Sequence, residues 1–208
     1  MKNLKALKDE LINYGRLCAS KGYSPGISGN ISTRSKENII ITSSGSSNAF
    51  LEDKDFSIIN YNGECIGGNK KPSSEKWLHL EFYKIRDDIN CIFHVHSPYL
   101  TAFATAQIPL EDGISPEIIY CFGKIPLAGY SLPGSNDLVK NTSKYFNNYD
   151  VILMANHGVI VGGKTIKDTF LKLDLAENYA KTLICAKILG GAKIIDEMEI
   201  KKIYSLKE

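Results

Sequence analysis

The stretch Asn90-Cys-Ile-Phe-His-Val-His-Ser-Pro98 constrains this chain more than any other. Its apolar and β-branched residues read as a strand, and on a strand the side chains at i and i+2 leave the same face. His94 and His96 therefore converge on one spot. Imidazole is the commonest protein ligand for zinc and similar divalent ions, and two converging rings are half of a tetrahedral site. The competing reading is a half-exposed strand whose two histidines are satisfied by water or backbone. It loses ground because the rest of the chain supplies further donors.

The surroundings of that strand can be read in order. Leu4, Leu7, Leu11, Tyr14 and Cys18 recur at helical spacing, and Gly22 is placed to end the helix. Ile39 to Ile41 is a strand. Phe56 to Tyr61 and Glu64 to Ile66 predict a hairpin about Asn62 and Gly63, a pair suited to a type I′ turn. A helix follows Lys70-Lys-Pro-Ser-Ser-Glu75 as far as about Arg86, and Pro98 opens another through Ala106. Leu138 to Phe146 reads as a helix. Asp150 to Met154 and Val159 to Val161 read as strands about the turn Asn156-His-Gly158. A long helix spans about Lys167 to Leu189 and stops at Gly190 and Gly191. Residues 107–134, broken by Pro109, Pro116, Pro126 and Pro133, carry no assignable elements, and a charged segment with Ile203 and Tyr204 closes the chain. Hairpins mixed with helices, without regular βαβ alternation, predict an α/β fold of the α+β type. It would have a central, mainly antiparallel sheet flanked by helices. A chain of 208 residues favours one domain, residues 1–208.

Composition removes several function classes. Twenty-five basic against 23 acidic residues leave a net charge of +2, which argues against a nucleic-acid surface. Five cysteines (Cys18, Cys65, Cys91, Cys121, Cys185) are odd in number and never spaced C-x-x-C, as expected for free thiols in a reducing cytoplasm. The chain opens on a charged, helix-like stretch with no apolar leader region, and no run of about 18 apolar residues is present. A cytoplasmic protein that engages no membrane is expected.

Two groups of residues bear on chemistry. The chain has four histidines, and besides His94 and His96 these are His79 and His157. His157 lies in a turn between two strands, from which it can reach a sheet edge. Glu75 stands at a helix start, where a carboxylate meets the helix dipole, although an acid there also serves as a cap. His79 lies four residues on along the same helix face, a position common for a packed core histidine. The segments Ser28-Gly-Asn30, Ser43-Ser-Gly45 and Ser73-Ser74 are rich in backbone N–H and hydroxyl donors and suit an anion. No P-loop or dinucleotide-binding glycine pattern is present, so no nucleotide cofactor is expected.

Five segments, GISGNIS (26–32), TSSG (42–45), KPSSE (71–75), HVHSPYLTA (94–102) and NHGVIV (156–161), follow the order and spacing of the class II aldolase/adducin family. The chain resembles that family over nearly its whole length, and within it most resembles the L-fuculose-phosphate aldolases. The resemblance implies one Zn²⁺ per subunit on His94, His96 and His157, with Glu75 as a fourth, displaceable ligand and proton shuttle. Cobalt or manganese would also suit such a site. It implies a phosphate cradle of Gly29, Asn30, Ser44, Gly45, Ser73 and Ser74. It further implies a homotetramer with active sites at subunit interfaces. The substrate would be a sugar phosphate, a (deoxy)ketose 1-phosphate such as L-fuculose 1-phosphate, cleaved to dihydroxyacetone phosphate and an aldehyde. The family's acid/base tyrosine from a neighbouring subunit would fall near Ser115-Pro-Glu117, where no tyrosine stands. Glu117, Tyr120 and Tyr130 are the candidates to replace it, and Tyr204 the candidate to close the site. Glu117 also keeps open a methylthioribulose-phosphate dehydratase. Glu111-Asp-Gly-Ile-Ser115 disfavours a pentulose-phosphate 4-epimerase, and an adducin-like interaction module would have no need of the complete ligand set.

Overall fold

The histidine strand lies at the middle of the sheet. In this computed structural model, residues 3–111 and 113–206 are described. Met1, Lys2, Asp112, Lys207 and Glu208 lie outside them, so the charged ends are described only from Asn3 and as far as Leu206. The strands are β1 (Asn30–Ser35), β2 (Asn38–Thr42), β3 (Phe56–Ile59), β4 (Cys65–Gly67), β5 (Cys91–Val95), β6 (Leu127–Ala128), β7 (Val151–Met154) and β8 (Gly158–Gly163). They form one sheet in the order β4-β3-β2-β1-β5-β8-β7-β6. Every pairing is antiparallel except β6 with β7. β5 carries the two histidines and is flanked by β1 and β8, with Asn30 and Ile160 directly opposite His94.

Helices cover both faces. Cys91, Phe93 and Val95 point into a core closed by α1 (Leu4–Ser20), α3 (Pro98–Ala106) and α6 (Ile166–Ile188), through Leu11, Leu100 and Leu173 among others. Ile92 and Ile160 point to the other face, beneath α2 (Lys76–Ile85) and α5 (Asn136–Ser143). A ten-residue helix such as α2 is marginal alone. Its hold comes from Leu78, Leu80 and Phe82, all buried, at about 1.5–3 kcal/mol for each such side chain. The Phe82 ring stacks on Phe146 at 4.0 Å, which ties α2 to the turn that follows α5.

The helix expected to end at Gly22 does so. Tyr23 N–H bonds to the Cys18 carbonyl and Gly22 N–H to that of Ala19, with Gly22 at φ +79°, a Schellman stop. The hairpin expected about Asn62 and Gly63 differs in its turn. Only Gly63 has positive φ, whereas a type I′ turn needs two such residues. The Asn60 carboxamide oxygen accepts from the N–H groups of Asn62 and Glu64, so a longer loop closes on Asn60. Residues 107–134 hold α4 (Pro116–Cys121), β6 and an isolated bridge between Leu110 and Ile125. The charged tail includes α7 (Glu197–Ser205), capped by Asp196. Among the described residues, no helix is long and apolar enough to cross a membrane.

Candidate metal centre

Three strand ends meet at the site. His94 is the penultimate residue of β5, and His96 follows the strand with its N–H bonded to the Tyr23 carbonyl at 3.0 Å. His157 lies in the β7–β8 turn, where Asn156 takes the left-handed conformation at φ +54°. Two glycines make the approach of these backbones feasible. A Cβ on Gly158 would stand 2.6 Å from the Val95 carbonyl oxygen and 2.8 Å from the His96 ring. A Cβ on Gly29, already at φ +78°, would stand 2.6 Å from the His94 carbonyl oxygen.

The three rings form a near-regular triangle with centroids 4.7, 5.0 and 5.2 Å apart. One nitrogen from each lies within 4.8 Å of the others. Glu75, the residue before α2, makes no capping bond to its own helix. Its carboxylate faces the triangle instead, with Oε2 3.1 Å from His94 Nε2 and Oε1 3.4 Å from His157 Nε2. The helix-cap alternative for Glu75 is thereby excluded. Zinc–nitrogen bonds at tetrahedral angles place ligand atoms about 3.4 Å apart. The His94 Nε2 to His96 Nε2 separation is 3.3 Å, so several edges of such a tetrahedron are already present.

Hydrogen bonding bears on whether a cation fits here. His94 Nδ1 lies 3.0 Å from the Val159 carbonyl, an acceptor only, so Nδ1 carries the ring proton. A bare Nε2 lone pair would face a carboxylate oxygen 3.1 Å away, so the contact requires either a second ring proton or a metal cation between them. Glu75 Oε1 is buried without a hydrogen-bond partner. The residues therefore fit a divalent metal. Burial disfavours charge on all four groups. At Glu75 the combined pull of His94, His157 and Asn30 outweighs it and holds the carboxyl well below the usual range. At His94, Glu75 and the Val159 carbonyl likewise outweigh burial and raise the ring. Burial, reinforced by His94, pushes His96 and His157 down to about 4, which keeps their lone pairs available at neutral pH.

A cleft of about 320 Å³ opens from this cluster. Glu75, His96 and His157 line it, and His94 is fully buried. The six residues expected to cradle phosphate, Gly29, Asn30, Ser44, Gly45, Ser73 and Ser74, all line the same cleft. Two of them have other tasks as well. Asn30 Nδ2 donates to Glu75 Oε2 at 2.9 Å, and Ser73 Oγ accepts from the Glu75 N–H. The hydroxyls of Ser28 and Ser46 are buried in the cleft wall without hydrogen-bond partners. Ser28 belongs to a segment read as suited to an anion but not to the six-residue cradle, and Ser46 belongs to neither. Their sequence signal was adjacency to Gly29 and Gly45.

Glu117, Tyr120 and Tyr204 do not line this cleft. Glu117 is exposed on α4 and accepts from Ser115 Oγ, and Tyr120 is half exposed on the same helix. Tyr204, on α7, sets its hydroxyl over Gly123, where a Cβ would lie 2.8 Å away. Within one chain these three residues belong to the α4–α7 region. Tyr130 is exposed on the loop leading to Pro133, which does line the cleft.

Residues 9–184 match the family described as the class II aldolase and adducin N-terminal domain. The chain is 37% identical over 175 residues to an L-fuculose phosphate aldolase of Methanococcus maripaludis, covering 83% of this chain and 94% of that one. It is 32% identical over 202 residues to a 5-deoxy-D-ribulose 1-phosphate aldolase of Bacillus thuringiensis serovar kurstaki, covering 96% and 94%. A 3-oxo-tetronate 4-phosphate decarboxylase of Pectobacterium atrosepticum is 32% identical over 190 residues, covering 89% and 85%. A solved L-fuculose 1-phosphate aldolase superimposes with a TM-score of 0.91 at 29% identity, over 99% of this chain and 97% of that one.

Proposed function

The chain belongs to the class II aldolase and adducin family, whose aldolases are metal-dependent lyases acting on sugar phosphates, and we propose that it cleaves a deoxyketose 1-phosphate with Zn²⁺. The proposed products are dihydroxyacetone phosphate and an aldehyde, with L-fuculose 1-phosphate and 5-deoxyribulose 1-phosphate as the leading substrates. The observation that carries this reading is a single cleft lined by Glu75, His96 and His157 of the histidine–carboxylate cluster together with neutral phosphate donors.

His94, His96 and His157 would hold the metal, with Glu75 as a fourth ligand. When bound, the ion supplies Lewis-acid stabilisation of the negative charge that carbon–carbon cleavage leaves on the phosphorylated fragment. The chain's own residues do the rest. Backbone and hydroxyl donors at Gly29, Ser44, Gly45 and Ser74 hold the phosphate, so that binding energy at the inert end orients the reacting end. Asn30 holds Glu75 by one oxygen, leaving the other to move a proton at the reacting carbon. No lysine lines the cleft among the described residues, so a Schiff base is not provided for.

A homotetramer with sites at subunit interfaces belongs to the same reading. Exposed Tyr120, Ile188, Leu189, Ile194 and Met198 about α4, the end of α6 and α7 support a second copy there. Such a contact would bring Glu117, Tyr120 or Tyr204 to a partner's cleft as acid/base. None of the five cysteines is in a disulfide, which supports the cytoplasm.

The decarboxylase relative favours one second reading. Loss of CO₂ from a 3-oxo acid 4-phosphate leaves the same charge on the same phosphorylated three-carbon fragment. The test is therefore an assay of both fragments from L-fuculose 1-phosphate, 5-deoxyribulose 1-phosphate and 3-oxo-tetronate 4-phosphate, with and without a chelator. Chelator-sensitive aldehyde release is expected. CO₂ release alone would replace the aldolase with the decarboxylase, and no turnover of any of the three would remove both.

A further inference from the structure

Below the metal centre runs a column of buried polar groups that the proposed reaction does not use. Glu75, His79 and Tyr83 are spaced by four and share the face of α2 turned to the sheet. Opposite them β1 presents the alternate residues Asn30, Ser32 and Arg34. Asn30 bonds to Glu75, and Ser32 Oγ lies 2.7 Å from His79 Nδ1 and 2.8 Å from the Tyr83 hydroxyl. Arg34 donates to the Tyr83 carbonyl and lies over its ring. His79 is fully buried, and its Nε2 has no partner.

Counting protons settles the direction of these bonds. Burial raises the Tyr83 hydroxyl well above its ordinary value, so it keeps its proton and acts as a donor. Burial, with His94 nearby, pushes His79 down to about 3, so the ring is neutral and carries one N–H. If Tyr83 donates to Ser32 and Ser32 donates to His79 Nδ1, both hydroxyl protons are satisfied. The single ring proton then sits on Nε2. If His79 Nδ1 donates to Ser32 instead, a hydroxyl proton and the Nε2 lone pair are both left without partners. The first arrangement strands fewer buried groups. It leaves an N–H donor one helical turn from Glu75, whose buried Oε1 lies 3.4 Å from His157 Nε2 and accepts no hydrogen bond.

We propose that the His79 Nε2–H is a positioning donor for the Glu75 carboxylate, acting through one buried water. It would hold that group in place while it carries a proton rather than ligating metal. This deepens, and rests on, the reading of Glu75 as the proton-moving group. Tyr83 and Ser32 orient the donor, and His79 touches neither substrate nor metal.

Two measurements test it. Ring-nitrogen NMR of the zinc-loaded protein should show His79 protonated at Nε2, and a proton at Nδ1 would overturn the proposal whatever the enzyme's substrate. Kinetics supplies the other arm. Asn in His79→Asn can still accept from Ser32 but cannot reach the Nε2 position. Its kcat should fall about 10- to 100-fold with KM and zinc content unchanged. His79→Gln places an amide N–H near Nε2 and should recover most of the lost kcat. Wild-type kcat in His79→Asn, or equal losses in both variants together with zinc, would reduce His79 to a packing residue. If His79→Asn does not fold, Ser32→Ala, which frees the tautomer, should lower kcat and remove the Nε2 preference in the spectrum, and no change in either would overturn the proposal. Absence of turnover in the wild type would refute the proposed reaction, with the NMR result still deciding the tautomer.

Discussion

The two ends of the central strands β1, β5 and β8 both carry polar groups, but these are satisfied to different degrees. At the end away from the histidines, Arg86 pairs with Asp88 at 2.7 Å and Asp150 at 2.9 Å, and Lys172 pairs with Asp150 at 2.8 Å and Asp168 at 3.1 Å. Arg34 there reaches the Ile89, Tyr83 and Arg86 carbonyls and the Tyr61 hydroxyl. At the histidine end, Ser28 Oγ, Asn30 Oδ1, Ser46 Oγ, Glu75 Oε1 and His157 Nδ1 are buried without hydrogen-bond partners. Proteins rarely tolerate such groups, because each costs about 1–3 kcal/mol when no ligand or water meets it. One end is satisfied by the chain itself, while the other holds the residues proposed to bind a metal and a phosphate.

The sharpest break in that contrast is His94→Ala, which should bring both zinc content and turnover to background while the far end holds the fold. Zinc analysis and the two-fragment assay check it, and full activity without metal would refute the metal site. Next, Glu75→Gln should keep the fold and lower kcat about 10²- to 10⁴-fold. An unchanged rate would strip Glu75 of its proton role. Arg86→Ala should do the reverse and lower stability to urea by about 1–3 kcal/mol, leaving kcat per folded molecule intact. A change in kcat would mean that the two ends are coupled. Ser28→Ala and Ser46→Ala should each raise KM about 10-fold with kcat little changed, as expected for losing one hydrogen bond to a charged phosphate. An unaltered KM would place the phosphate elsewhere.

The smallest effect is on pH dependence. Burial holds the folded His79 near 3, against an ordinary value of 6.5. Below 6.5 the unfolded chain takes up a proton that the folded chain refuses. The associated stability is therefore present above that pH and lost as pH falls toward 3, at no more than about 1.4 kcal/mol per unit. In metal-free protein His96 and His157, held near 4, act in the same direction. Urea titrations from pH 7 to 4.5 should show the decline, with a shallower slope in His79→Gln. Stability unchanged across that range would contradict a buried neutral His79.

Much of the site was legible because its signals are local. His94 and His96 share a strand face by period alone, and Gly29, Gly45, Ser73 and Ser74 mark loops whose backbone can approach a ligand. Residues 107–134 were illegible for the opposite reason. β6 is two residues long and exists through pairing with Leu153 and Met154, and α4 has six residues whose buried Ile118 and Ile119 face partners distant in sequence. The type of the β3–β4 turn was missed because the Asn60 side chain, outside the Asn-Gly pair, sets it.

By itself the sequence determined the main elements outside residues 107–134 and marked the residues proposed to bind metal and phosphate. These follow from period, turn chemistry and donor type, which act over a few residues. Only the tertiary structure decided that Glu75 faces the histidines rather than capping α2, that Asn30 holds it, and that His79 lies beneath it in a column with Ser32 and Tyr83. Those assignments depend on which strand register meets which helix face. Register is set by burial summed over the whole sheet, a quantity that no local stretch of sequence contains.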